Sequence, residues 1–202
     1  MANAPTLNLP AEFSEPIRTD RLRLRLLRPE DVDDVLAYQS RDDVCRYLMF
    51  EPRTHTEVAA KLAIYSAAAV LRADGDFWQL ALELEAEPGR VIGDLYFALA
   101  STANCTAEIG WTLHPDFAGR GYMTEAARAL LAVAFGELGV HRVRAELDAR
   151  NAASAALCQR LGMRREAHLV EDLWFKGAWG DTDIYAILAR EWAAPPPGGP
   201  VG

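Results

Sequence analysis

Across residues 21–27, Leu22, Leu24 and Leu26 alternate with arginines, the period of two that marks a strand with one buried face. Pro29 then stands where a first helical residue would, with Glu30 and Asp31 in the first turn and Val32, Val35 and Leu36 on one face. Thr54-His55-Thr56-Glu57 spells a capping box, in which a hydroxyl and a carboxylate three positions apart take up each other's backbone donors. Val58, Leu62, Tyr65 and Ala69 continue at helical spacing until Gly75. Two helices are therefore predicted after the first strand.

From residue 77 the pattern turns to β. Residues 77–84, 91–99 and 106–113 are three predicted strands, separated by a Pro88-Gly89 turn and a polar break at 101–104. Beyond a glycine-rich stretch, Met123, Ala127, Leu130, Leu131, Ala134, Phe135 and Leu138 line one side of a helix that ends within 136–139. Val143, Ala145 and Leu147 alternate with Arg142, Arg144 and Glu146 in a further strand, and Asn151 is placed to cap a helix ending at Gly162. A hairpin of residues 168–175 and 182–188, turning at 176–180, completes the pattern. The order is β-α-α-β-β-β-α-β-α-β-β, a mixed α and β chain with one strand–glycine–helix junction and no internal repeat.

The 202 residues, 50% of them hydrophobic, suffice for one well-buried core. The expected organisation is an N-terminal arm over residues 1–17, a single domain over 18–192, and a Pro/Gly-rich disordered tail over 193–202. With 21 basic against 29 acidic residues, a net charge of −8 argues against a surface devoted to nucleic-acid phosphates and favours cationic guests. Cys45, Cys105 and Cys158 are odd in number and form no Cys-x-x-Cys pair, so neither a disulfide framework nor a zinc site is expected, and a reducing cytoplasm fits. None of the four histidines has a metal-binding spacing, so no metal is expected. Residues 1–16 lack the order of a signal peptide, and no apolar run approaches the roughly 20 residues that span a bilayer.

Candidate chemistry begins at the junction Leu113-His114-Pro115-Asp116-Phe117-Ala118-Gly119-Arg120-Gly121-Tyr122-Met123-Thr124-Glu125-Ala126. The first N–H groups of a helix lack intrahelical partners and carry partial positive charge, and glycines admit a phosphate close to the backbone. By itself the junction is open to three readings: a pyrophosphate cradle, a plain turn, or a dinucleotide fingerprint in which Thr124 replaces the third glycine. A second motif, Asn151-Ala152-Ala153-Ser154-Ala155-Ala156-Leu157-Cys158-Gln159-Arg160-Leu161-Gly162-Met163, follows about 30 residues downstream.

Together the two motifs resemble the signature of the GCN5-related N-acetyltransferase (GNAT) superfamily. Ala107-Glu108-Ile109-Gly110-Trp111 and Thr124-Glu125-Ala126 resemble its RimJ/RimL-like branch. Three positions depart from the pattern: Ala118 where Gln or Arg is most common, Met123 where Gly or Ala is, and Cys158 where many members carry a general-acid tyrosine. The resemblance implies the GNAT fold, a mixed α/β (α+β) sheet of about six or seven strands flanked by helices. It also implies acetyl-CoA as co-substrate and, as acceptor, a protein N-terminal α-amine or a small amine attacking the thioester directly in a ternary complex. On that basis Trp111, Thr112 and Leu113 offer backbone to the pantetheine arm, Gly119, Arg120, Gly121, Tyr122, Met123 and Thr124 hold the pyrophosphate, Asn151 binds pantetheine and Ser154 lies near the sulfur. An anionic ligand also requires local cations, for which Arg120, Arg128, Arg150, Arg160, Arg164 and Arg165 are candidates.

The reaction needs a neutral amine, a polarised carbonyl and a proton for the departing thiolate. Glu108, on the strand that leads to the junction, is the first candidate for the base, ahead of Asp94 and His114. Ser154 or a water is the first candidate for the acid; Cys158, on a helix with no histidine near it in sequence, reads as packing. Tyr47, Trp78, Tyr96, Trp111, Trp174, Phe175 and Trp179 are divided between core and an acceptor groove. The hairpin aromatics lie among Glu171, Asp172, Asp181 and Asp183, which suits a cationic amine or a homodimer contact. The departures also leave open a non-catalytic acyl-CoA-binding module of the same fold.

Overall fold

The computed structural model describes residues 6–192. Its elements are β1 (Ala11–Glu12), β2 (Ile17–Arg18), β3 (Leu22–Leu26), α1 (Val32–Gln39), α2 (Asp42–Cys45), α3 (His55–Ala67), β4 (Val70–Leu71), β5 (Phe77–Leu84), β6 (Val91–Ser101), β7 (Thr106–Leu113), α4 (Tyr122–Gly136), β8 (Arg142–Asp148), α5 (Ala152–Arg160), β9 (Arg164–Phe175), β10 (Ala178–Leu188) and α6 (Ala189–Trp192). Eight strands form one sheet in the order β2-β3-β5-β6-β7-β8-β10-β9, and β1 pairs with β4 apart from it. The sheet has one strand more than the upper expectation, since β2 is too short to show any alternation.

Every neighbouring pair in the large sheet is antiparallel except β7 and β8. A parallel pair cannot be joined by a tight turn, so the chain crosses over through α4, whose first turn is thereby set at the C-terminal end of β7. One face of the sheet buries Leu80, Leu82, Leu95, Phe97, Ala107 and Ile109 against Ala127, Leu130, Leu131 and Ala134 of α4. The other buries Ala81 and Val91 beneath Val35 and Tyr38 of α1 and Val58 and Leu62 of α3. Each large side chain so buried contributes roughly 1.5–3 kcal/mol, which makes this two-sided packing the main source of stability.

Local signals act as their chemistry requires. In the capping box of α3, Glu57 N donates to Thr54 Oγ1 (3.4 Å) and Thr54 N donates to Glu57 Oε2 (2.8 Å). The arm is packed as far as it is described: Leu7, Leu9, Phe13 and Ile17 lie against the core, and Asn8 N donates to Leu138 O at 2.9 Å. The expected tail lies outside the described residues. The hairpin is longer and tighter than its sequence suggests, since β9 starts at Arg164 and the turn is only Lys176-Gly177, with φ of 50° and 77°. As the outermost strand, β9 is largely exposed on both faces, so Arg164-Arg165-Glu166 shows no period of two. Among the described residues no helix is long and apolar enough to cross a membrane.

Candidate active site

β7 and β8 are paired only at Thr106↔Arg142, Ala107↔Val143 and Glu108↔Arg144, although β7 runs on to Leu113 and β8 to Asp148. Past Glu108 the two strands splay, so Trp111, Thr112 and Leu113 keep their bonds to β6 on one side but face an open gap on the other. The gap opens into a cleft of about 1030 Å³ that continues along the N-terminal turn of α4 and one face of α5.

The glycine turn shapes the near end of this cleft. Gly119 and Gly121 have φ of 73° and 79°, a left-handed conformation that a side chain makes costly, and Gly121 is the N-cap of α4 with no side chain to cap it. The first helical bond is Glu125 N to Gly121 O, so the N–H groups of Tyr122, Met123 and Thr124 precede the ladder and are left for an anion. Met123, in the place of a small residue, turns its side chain into the core and does not close the turn.

A strap from the start of the domain fixes that turn. Arg21 Nε donates to Glu125 Oε2 (2.7 Å), Arg21 Nη1 donates to Arg120 O (3.0 Å), and the Arg21 guanidinium lies 4.5 Å from the centre of the Tyr122 ring. Thr19 Oγ1 and Arg21 N donate to Glu125 Oε1 at 2.6 and 3.0 Å. Burial pushes the Glu125 carboxyl up, but these bonds outweigh it and hold the group below its ordinary value. A negative charge beside an anion site is thus neutralised, and the Arg120 carbonyl is tied to the strap. Glu125 lies within the motif read from the sequence, but its partner is 104 residues away.

α5 supplies the far wall. Asn151 Oδ1 caps it by accepting from Ser154 N (3.1 Å), as its position predicts. Ser154 Oγ accepts from Trp111 Nε1 across the gap at 3.1 Å. An indole N–H can only donate, so the serine keeps its own proton for another acceptor. Cys158 is fully buried and does not line the cleft; burial pushes its thiol up to about 12.

Of the residues singled out from sequence, Trp111, Thr112, Leu113, Gly119, Gly121, Tyr122, Met123, Thr124, Asn151 and Ser154 line the cleft. Arg120 and Glu108 are not among the lining residues. Glu108 holds the last paired position, at the apex of the splay, and accepts from Arg144 Nη2 at 3.0 Å. Strand alternation puts Glu108, Gly110 and Thr112 on the face opposite Trp111 and Ser154, and Gly110, without a side chain of its own, lies beside Tyr96, its cross-strand partner, on that face. Asp94, 3% exposed, is Thr112's partner across β6 and accepts from Tyr38 Oη (2.7 Å), Gln79 Nε2 (2.6 Å) and Gln39 Nε2 (3.3 Å). Burial pushes its carboxyl up to about 6 against those bonds. His114 Nδ1 accepts from Asp116 N at 3.2 Å, within the turn.

The opposite mouth is formed by α2 and the loop after it, through Val44 and Leu48. The hairpin reaches the end of α2: Lys176 Nζ donates to Cys45 O at 2.6 Å. Arg150 lies 5.9 Å from the Tyr47 ring centre, and Trp174 and Trp179 pack edge to face at 5.4 Å while remaining 59% and 54% exposed. α2 was not legible, because four residues are too few to show a helical period.

A splayed parallel pair that ends in an uncapped glycine turn, inside an otherwise antiparallel sheet, defines the acetyltransferase class. The family described as "Acetyltransferase (GNAT) domain" matches residues 21–164, and the chain belongs to it. It is an N-acetyltransferase of a family that uses acetyl-CoA. The uncharacterized N-acetyltransferase YnaD of Bacillus subtilis is 31% identical over 176 residues, which span 87% of this chain and 98% of YnaD. The [Ribosomal protein uS5]-alanine N-acetyltransferase of Escherichia coli is 27% identical over 84 residues, 42% of this chain and 43% of its own length, in keeping with the RimJ/RimL-like resemblance. The crystal structure of a GNAT-family acetyltransferase from Bacillus anthracis superposes with a TM-score of 0.77 at 27% identity, covering 87% of this chain and 99% of that one.

Proposed function

We propose that this protein is a cytoplasmic enzyme that moves an acetyl group from acetyl-CoA to a primary amine by direct attack within a ternary complex. The observation that carries this reading is the bridge between Trp111 and Ser154 across the splay, which puts an uncommitted hydroxyl proton deep in a cleft whose other end is an anion-binding helix terminus. The N–H groups of Tyr122, Met123 and Thr124 hold the pyrophosphate. The open backbone of Trp111, Thr112 and Leu113, with Asn151, aligns the pantetheine arm. The amine approaches along the face of Gly110 and Tyr96, where Glu108 takes its proton through a water, and Ser154 gives its proton to the thiolate as the carbon–sulfur bond breaks. Cys158 points into the core, so the role of the missing tyrosine falls to Ser154.

An α-amine is the acceptor that suits a carboxylate base held by Arg144. Its pKa near 7.7–8.0 leaves a sizeable neutral fraction at pH 7, whereas a lysine near 10.4 has almost none. The E. coli relative's name, a ribosomal-protein alanine N-acetyltransferase, supports a protein N-terminus, with small amines as the second class.

The test follows CoA release from acetyl-CoA with a thiol-reactive dye, over peptides with free N-termini and small amines. Glu108→Gln and Ser154→Ala should each lower kcat by at least about tenfold, the low end for losing an acid or base. Acetyl-CoA binding without turnover of any acceptor in the panel would instead favour a non-catalytic module.

A further inference from the structure

Six arginines are candidates for charge complementarity to an anionic carrier, and the structure separates them. Arg150 is held by Asp148 (Nη2–Oδ2 2.6 Å), Arg165 by Asp183 (2.6 Å), and Arg164 by Glu166 and Glu191. Arg120 does not line the cleft, and its guanidinium lies 5.6 Å from the Phe117 ring centre. Arg128 and Arg160 do line it, and among the described residues neither has a carboxylate partner.

Both are oriented nonetheless. Arg160 Nε donates to Thr124 Oγ1 at 3.2 Å, and Arg128 Nη2 donates to Arg160 O at 2.8 Å. One hydrogen bond holds each guanidinium, and that of Arg128 also lies 5.9 Å from the Trp192 ring centre, while both Nη groups of Arg160 and Nη1 of Arg128 are left to donate. Along α5, Asn151, Ser154, Leu157 and Arg160 face the cleft at every third residue. At 1.5 Å per residue, Arg160 lies about 9 Å beyond Ser154 along the helix axis. Thr124, which holds Arg160, also contributes one of the N–H groups assigned to the pyrophosphate. The pair thus sits next to that site, on the side away from the thioester.

We infer that Arg128 and Arg160 form the subsite for the 3′-phosphate of CoA, and so make the enzyme select acetyl-CoA over acetyl carriers that lack this group. The inference rests on acetyl-CoA being the co-substrate. A phosphate monoester carries about −1.5 to −2 charge at pH 7, more than either diester-like phosphate of the pyrophosphate, and guanidinium forks match its oxygens in pairs. In a chain of net charge −8, these two cations have no carboxylate counter-ion among the described residues and gain an anionic partner when the carrier's phosphates arrive.

The experiment compares acetyl-CoA with acetyl-dephospho-CoA, which differ only in the 3′-phosphate. The wild type should show a KM for the dephospho carrier at least about tenfold higher, as expected for losing a charge-assisted bond. Arg128→Gln and Arg160→Gln should each shrink that ratio, and Arg164→Gln should preserve it. As a check that needs no variant, adenosine 3′,5′-bisphosphate should compete with acetyl-CoA better than 5′-AMP does. Equal use of both carriers, equal competition by the two nucleotides, or an unchanged ratio in both variants overturns the subsite while leaving the acetyltransfer reading intact. Failure to bind either carrier would remove that reading, and the subsite with it.

Discussion

The two ends of the cleft are built on opposite principles. At the glycine turn two side chains of the strap are committed: Thr19 and Arg21 hold Glu125, and Arg21 holds the Arg120 carbonyl. Near the opposite mouth, on a hairpin that does not line the cleft but touches α2 through Lys176 and the backbone of Cys45, Trp174 and Trp179 stand more than half exposed. The first arrangement suits a constant ligand, because ordering is completed before the ligand arrives and its cost does not fall on binding. The second suits a guest that differs between relatives, since exposed aromatic side chains can be exchanged with little effect on the core.

Three perturbations would sharpen or break this contrast. The largest concerns Asp94, which from β6 ties Tyr38 and Gln39 of α1 to Gln79 of β5. Its folded pKa, about 6, is raised above the unfolded value, so its contribution to stability is present below about pH 4 and is lost as pH rises through 6. At 1.36 kcal/mol per pKa step this amounts to about 3 kcal/mol. Urea unfolding of wild type and Asp94→Asn at pH 4.5 and 7 should show a smaller pH difference in the variant; identical slopes would remove Asp94 from the account. Next, Arg21→Ala should raise the KM for acetyl-CoA by roughly tenfold, in line with losing charge-assisted bonds, and leave the acceptor KM unaltered. A fall in kcat alone would mean that the strap merely holds the fold. Smallest, Trp174→Ala and Trp179→Ala should change the acceptor KM by a few-fold, without effect on acetyl-CoA or on the melting temperature. Unchanged kinetics with every acceptor would place the acceptor route elsewhere.

The same contrast governs what could be read from the chain. The order of the longer strands and helices, the glycine turn, the caps at Thr54 and Asn151 and the packing role of Cys158 rest on neighbours within a few residues, and periodicity or motif spacing exposes such neighbours, whereas β1, β2, β4, α2 and α6 are too short to show a period. The ion pair of Glu108 with Arg144 depends on the register of a parallel pair. The Trp111–Ser154 bridge spans 43 residues and the Arg21–Glu125 strap 104, and no local pattern encodes such distances. The sorting of the six arginines needed the positions of their carboxylate partners, which the composition alone does not supply.

The short pairing between β7 and β8 has a mechanical side. β2, β3, β5, β6 and β7 form one block of the sheet and β8, β10 and β9 another, and three register positions join the two. That makes the site a seam between two half-sheets. A carrier lying along the splay, bound to β7 on one side and to α5, which follows β8, on the other, would act as a removable staple, adding its binding free energy to the cohesion of the blocks. Cofactor loading and resistance to prying the halves apart are then one property, and each turnover that releases CoA briefly returns the molecule to its unstapled state.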